Sequence, residues 1–126
     1  METFKYVPRQ CRKHKVTSEV NGQQVEKDVE PTFTGHLVLK QIDLLERLGR
    51  LSAIEHLKNE GKNLLFIHEL IKGTKEFWHE VQLERIAGGK KYASIDDLLK
   101  DQKCDTLIIE VSQMFMDGFD DDGLGN

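Results

Sequence analysis

Phe33-Thr34-Gly35-His36-Leu37-Val38-Leu39-Lys40-Gln41-Ile42-Asp43-Leu44-Leu45-Glu46-Arg47-Leu48 is the stretch that decides the fold. Up to Ile42 it reads as a strand, with Leu37 and Leu39 on one face. At Asp43 the period changes. Leu44, Leu45, Leu48, Leu51, Ile54 and Leu57 recur at helical spacing, and Asp43 with Glu46 resembles a capping box in which a carboxylate replaces the usual hydroxyl. Strand signals before this point and helix signals after it predict an α+β fold: N-terminal antiparallel strands with a hairpin, then a bundle of about four helices.

Towards the N-terminus, Val16, Ser18 and Val20 alternate with polar residues and run into Asn21-Gly22. That dipeptide accepts positive φ and suits a two-residue hairpin turn. The turn sets the register: Val20 is expected opposite Gln23, and Ser18 opposite Val25. So polar a hairpin is marginal alone and is expected to lie on something else. Phe4 to Val7 reads as a short first strand, which Pro8 ends or confines to an edge.

Towards the C-terminus, Gly61 is placed to end the first helix. A second helix, capped by Asn63, is expected to run to the Gly88-Gly89 stop, with an apolar stripe of Ile67, Leu70, Ile71, Phe77, Trp78 and Val81. Ser94 caps a short helix carrying Ile95, Leu98 and Leu99. Asp105 is expected to cap a last helix from Thr106 to about Met116, whose apolar side is Leu107, Ile108, Val111, Met114 and Phe115. Residues 1–116 thus read as a single domain, and residues 117–126, with four Asp and three Gly, as a flexible acidic tail.

The 126 residues carry a net charge of −4, which weakens a general case for nucleic-acid binding. The charge is unevenly spread. Lys5, Arg9, Arg12, Lys13 and Lys15 crowd the first fifteen residues, whereas Asp117, Asp120, Asp121 and Asp122 stand near the end. Either terminus is solvated or meets an opposite charge, including that of another copy. Cys11 and Cys104 are too far apart to imply a disulfide framework, which favours a reducing, cytoplasmic setting. Met1 to Tyr6 has no apolar signal-peptide core, and the apolar run Leu64 to Ile67 is far too short to span a bilayer.

Tests for chemistry give little. Asp120, Asp122 and Gly123 match inner positions of a calcium loop, but the first ligand position would be Gly118. Cys11 and His14 have zinc-ligand spacing without a second pair. Cys11 has basic neighbours that would favour a thiolate, set against an ordinary strand or loop cysteine. Gly88-Gly89-Lys90-Lys91 is too short for a phosphate loop and reads as a helix stop. No catalytic residues, metal or cofactor are assigned. Leu70, Phe77, Trp78 and Val81 are the candidate protein-binding residues, and they are equally the candidate core.

Three features together carry a resemblance: Phe33 to Leu48; Tyr92-Ala93-Ser94-Ile95-Asp96-Asp97-Leu98-Leu99-Lys100-Asp101 with Cys104 to Val111; and the Gly/Asp-rich close Gly123-Leu124-Gly125-Asn126. In this order, over about Phe33 to Asn126, they resemble tail assembly chaperones of long-tailed bacteriophages. The resemblance is one of pattern, because that family has no invariant catalytic motif. It implies a protein without enzymatic activity, encoded by a phage or prophage and working in the host cytoplasm. Its client would be the tape measure protein, shielded until tail-tube protein displaces it; self-association is expected separately, because a domain this size leaves part of its amphipathic stripes uncovered. Two other readings stand beside it: a structural tail-completion or connector subunit, and a small nucleic-acid-associated protein using Arg9, Arg12, Lys13 and Lys15.

Overall fold

Residues 2–117 are described by the computed structural model; Asp120, Asp121, Asp122 and the rest of the expected tail beyond Asp117 lie outside the described residues. The strands are β1 (Thr3–Tyr6), β2 (His14–Val20), β3 (Gln23–Val29), β4 (Phe33–Lys40), β5 (Trp78–Arg85) and β6 (Lys91–Tyr92). The helices are α1 (Leu44–Asn59), α2 (Asn63–Thr74), α3 (Ile95–Leu99) and α4 (Asp105–Asp117). The expected α+β class is the one observed.

One sheet runs in the order β1-β4-β5-β6, antiparallel throughout. Its inner face carries Tyr6, Phe33, Leu37, Leu39, Val81, Leu83 and Tyr92, and these are buried against Leu98, Leu107, Ile108, Val111 and Phe115 of α3 and α4. Its outer face shows His36, Val38, Glu80 and Gln82, at least partly exposed. α1 and α2 form an antiparallel pair beside α4, tied by Arg50 Nη1 donating to the Gly73 carbonyl at 2.7 Å. Phe77 and Phe115 meet in a tilted pair with centroids 5.8 Å apart, joining the end of this helical pair to the core.

Local signals hold where they are short-range. Glu46 N donates to Asp43 Oδ1 at 2.8 Å, and Asp97 N donates to Ser94 Oγ at 3.2 Å, so both expected caps form. Gly61 follows α1 at φ 76°. Asn21 and Gly22 take φ 52° and 79°, and the hairpin pairs Val20 with Gln23 and Ser18 with Val25, in the expected register. Two caps differ from expectation. Asn63 is already inside α2, and Asp105 is the first residue of α4, which continues directly from the 3₁₀ turn Gln102–Cys104.

The larger correction concerns the second helix. α2 stops at Thr74, a 3₁₀ turn spans Lys75–Phe77, and Trp78–Arg85 is a central strand. The misleading signal has a physical origin. Leu39 pairs with Trp78 but Val38 with Glu80, so His79 is an extra residue in a β-bulge. The bulge lets Trp78 and Val81 both face inward although they are three apart, a spacing that imitates a helix. From Val81 onward the true period is two, with Val81 and Leu83 buried and Gln82 exposed.

Three pairs along the ladder from the bulge, Gly35 faces Leu83 with φ 109°, and a Cβ there would overlap the Gln82 carbonyl. Only glycine allows β4 and β5 to approach this closely.

Candidate protein-interaction surface

The four candidate binding residues go to the interior. Leu70, Phe77, Trp78 and Val81 are all buried. Phe77 lies under the Arg50 guanidinium, 4.7 Å from its ring centre. Leu70 borders a 320 Å³ cleft with Arg50, Ile54, Gly73 and Met116, but shows little of itself. As part of a folded core these side chains are not available to a partner, because β5 needs Trp78 and Val81 to close the sheet.

The apolar surface lies elsewhere. Leu44, Leu45 and Leu48 open α1, and Leu64 and Leu65 open α2, all exposed; Leu45 is 81% and Leu64 85% accessible. The sequence did carry a signal for this. Adjacent helical residues point about 100° apart, so a Leu-Leu doublet in a narrow amphipathic stripe leaves one leucine facing outward. Beside the first doublet lies an open depression of 690 Å³ lined by Glu2, Gln41, Ile42, Leu44 and Arg47.

The hairpin β2–β3 is the second exposed element. It forms its own two-stranded sheet, and nearly all its residues are exposed. The cover expected for so polar a hairpin is not supplied by the described part of its own body. It is an arm, held at its root by Thr32 N donating to the Gln10 carbonyl at 2.8 Å and Ile86 N to the Thr32 carbonyl at 3.0 Å. A 520 Å³ cleft lined by Pro31, Phe33, Ile86, Ala87 and Lys103 sits at that root.

The basic N-terminal run is answered by acids that the hairpin brings across. Lys13 Nζ is 3.7 Å from Glu30 and Lys15 Nζ 3.8 Å from Glu26. Arg12 Nε bonds the Val7 carbonyl, and the Arg9 amide donates to the Glu110 carboxylate. A positive stretch in sequence is thus a mixed surface in space. Cys11 is half-buried and its thiol is pushed up to about 12, first by desolvation and then by Glu110, so its basic neighbours do not make it a thiolate.

Two tyrosine–carboxylate contacts fasten the sheet's edge strands to the helical layer. Tyr6 Oη donates to Glu110 Oε2 at 2.5 Å, and Tyr92 Oη to Asp101 Oδ2 at 2.6 Å. Asp101 also receives Arg85, Lys90 and the Lys103 amide. The Tyr92 bond leads in drawing the Asp101 carboxyl down to about 2, while burial chiefly raises the Tyr92 hydroxyl. A carboxylate held ionised beside a phenol held protonated exchanges no proton near neutrality, so the cluster acts as a structural tie.

Among the described residues no three His, Cys, Asp or Glu side chains come together as metal ligands, and no helix is long and apolar enough to cross a membrane. Compared with protein-family models, with curated proteins and with solved structures, the chain matches none of them.

Proposed function

We propose that this chain is a non-enzymatic, protein-binding assembly factor, and more specifically a phage or prophage tail assembly chaperone that shields the tape measure protein in the host cytoplasm. The observation that carries the reading is the pair of exposed leucine doublets, Leu44-Leu45 and Leu64-Leu65. Fully burying one such side chain contributes about 1.5–3 kcal/mol. A few of them, set among charged residues, supply enough for association but not for a permanent dry interface, once ordering costs are subtracted. Reversible shielding needs that balance. The finer identity, phage tail assembly, rests on the resemblance in sequence pattern.

The test is aggregation of a purified tape-measure segment, followed by light scattering with and without the chain. The wild-type chain is expected to suppress scattering near equimolar ratio, and the double variant Leu45→Glu/Leu64→Glu to lose most of that effect while remaining folded. Equal protection by the double variant, or no protection of the segment by the wild type, would refute the reading.

The projecting arm favours a second reading, a structural tail-completion or connector subunit, since a freestanding hairpin suits a contact between neighbouring subunits. A single ring-sized mass independent of concentration would select it. Nucleic-acid association has the least support, because Lys13 and Lys15 each lie beside a carboxylate.

A further inference from the structure

The arm's two faces differ sharply. Lys15, Thr17, Glu19, Gln24, Glu26 and Asp28 point to one side, where Lys15 and Glu26 make an ion pair. The other side carries Val16, Ser18 and Val20 from β2 with Gln23, Val25 and Lys27 from β3, and the partly buried pair His14–Val29 at the root. Val16, Val20 and Val25 are 45%, 52% and 42% exposed, so no element among the described residues covers them. A lone two-stranded ribbon is marginal in water, and an uncovered β-branched face adds nothing to hold it. Cover for that face would stabilise the arm as well as bury the valines.

We infer that the cover is a second copy of this chain, the two arms packing valine face to valine face and antiparallel about a two-fold axis through the Ser18–Val25 pair. The arrangement follows from the register. Val20 sits with Gln23 one pair nearer the tip, and Val16 with Lys27 one pair nearer the root, each about 7 Å from the Ser18–Val25 pair. Rotation about that axis brings Val20 over the other copy's Val16, and Val25 over its own counterpart. Gln23 falls opposite Lys27, so the one full charge among these six residues meets a neutral acceptor and no like charges oppose. The charged face remains in water. A two-fold contact of this kind demands self-complementarity, and the valine pattern supplies it.

The area sets the strength. Seven-residue strands give a face about 23 Å long and about 10 Å wide, so two arms bury roughly 500 Å² in total. That is well under the ~1,200 Å² of a standard stable interface. The contact is therefore weak and concentration-dependent, which makes crosslinking the right readout.

Val25→Cys and Gln24→Cys place a thiol on opposite faces of the arm at neighbouring positions. Under mild oxidation or with a short bis-maleimide, Val25→Cys is expected to give a covalent dimer mapped by mass spectrometry to position 25. Gln24→Cys is expected to give several-fold less. Adding Val16→Lys to Val25→Cys should abolish the product, because Lys would replace the valine that meets Val20 of the other copy. Circular dichroism checks that each variant stays folded, as expected for exposed positions. Equal crosslinking at 24 and 25, no dimer at 25, or a dimer indifferent to Val16→Lys would each overturn the inference. No dimer at 25 would leave the valine face without a second copy on it, and a dimer indifferent to Val16→Lys would rule out the antiparallel valine-to-valine arrangement. None of them bears on the leucine doublets, which the tape-measure assay tests separately.

Discussion

The β4–β5 ladder and the β2–β3 hairpin are both antiparallel strand pairs with one apolar face, yet they meet opposite fates. In β4–β5, Leu37, Leu39, Val81 and Leu83 are at most 5% exposed, covered by α3 and α4. In β2–β3, Val16, Val20 and Val25 stay in solvent. Alternation decides which face of a strand is apolar, whereas the position of other elements decides whether that face is covered. The first pair should behave as a structural core and the second as a contact surface, and substitutions in the two should differ in kind.

The largest effect is expected where the helical layer covers the ladder. Phe115→Ala removes a side chain that is 1% exposed and packed on Phe77. It should cost ~3–5 kcal/mol in urea unfolding. A loss under about 1 kcal/mol would mean that α4 does not seat on the sheet as described. Gly35→Ala comes next, at ~2–4 kcal/mol, because the new Cβ must displace the Gln82 carbonyl from a backbone at φ 109°. A near-neutral result would show that β4 and β5 are further apart there.

A smaller effect, dependent on pH, is expected at the β6 edge. The folded Asp101 carboxyl lies at about 2, below its ordinary 3.8. Its contribution is therefore fully present above pH 3.8 and is lost as pH falls towards about 2. Wild type should be more stable than Asp101→Asn at neutral pH, and the difference should shrink across that window. A constant difference in urea midpoint would break this assignment. The smallest effect should come from the arm. Val25→Thr keeps the β-branched shape and should change monomer stability by no more than ~0.5 kcal/mol. A core-sized loss would mean that the arm packs on its own body after all.

Much of the fold was legible in short stretches. Asn21-Gly22 dictated both turn and register, and Asp43 and Ser94 marked helix starts, because each acts on backbone groups within three residues. The apolar side of α4 was also plain, since all five of its expected apolar residues are buried. The candidate site was legible only in part. Residues 78–85 read as helix because the bulge at His79 spaces Trp78 and Val81 like helix neighbours. The leucine doublets are visible in the sequence, 44–45 inside the α1 stripe and 64–65 inside a short apolar run, but which member must face out follows only once each is set on its helix. The basic run could not be read correctly at all, since Glu26 and Glu30 reach Lys15 and Lys13 only once the hairpin folds.

By itself, the sequence determined the turns, the caps and the apolar faces of most elements, since these depend on φ preferences and on hydrogen bonds to near neighbours. Tertiary structure alone decided that Trp78–Arg85 is a strand, because its ladder partner β4 lies far upstream, Phe33 pairing with Arg85 and Leu39 with Trp78, and supplies the hydrogen bonds that a helix would have made locally. It likewise decided that the hairpin's valines stay uncovered, because burial depends on whether another element reaches that face, and no local pattern records that.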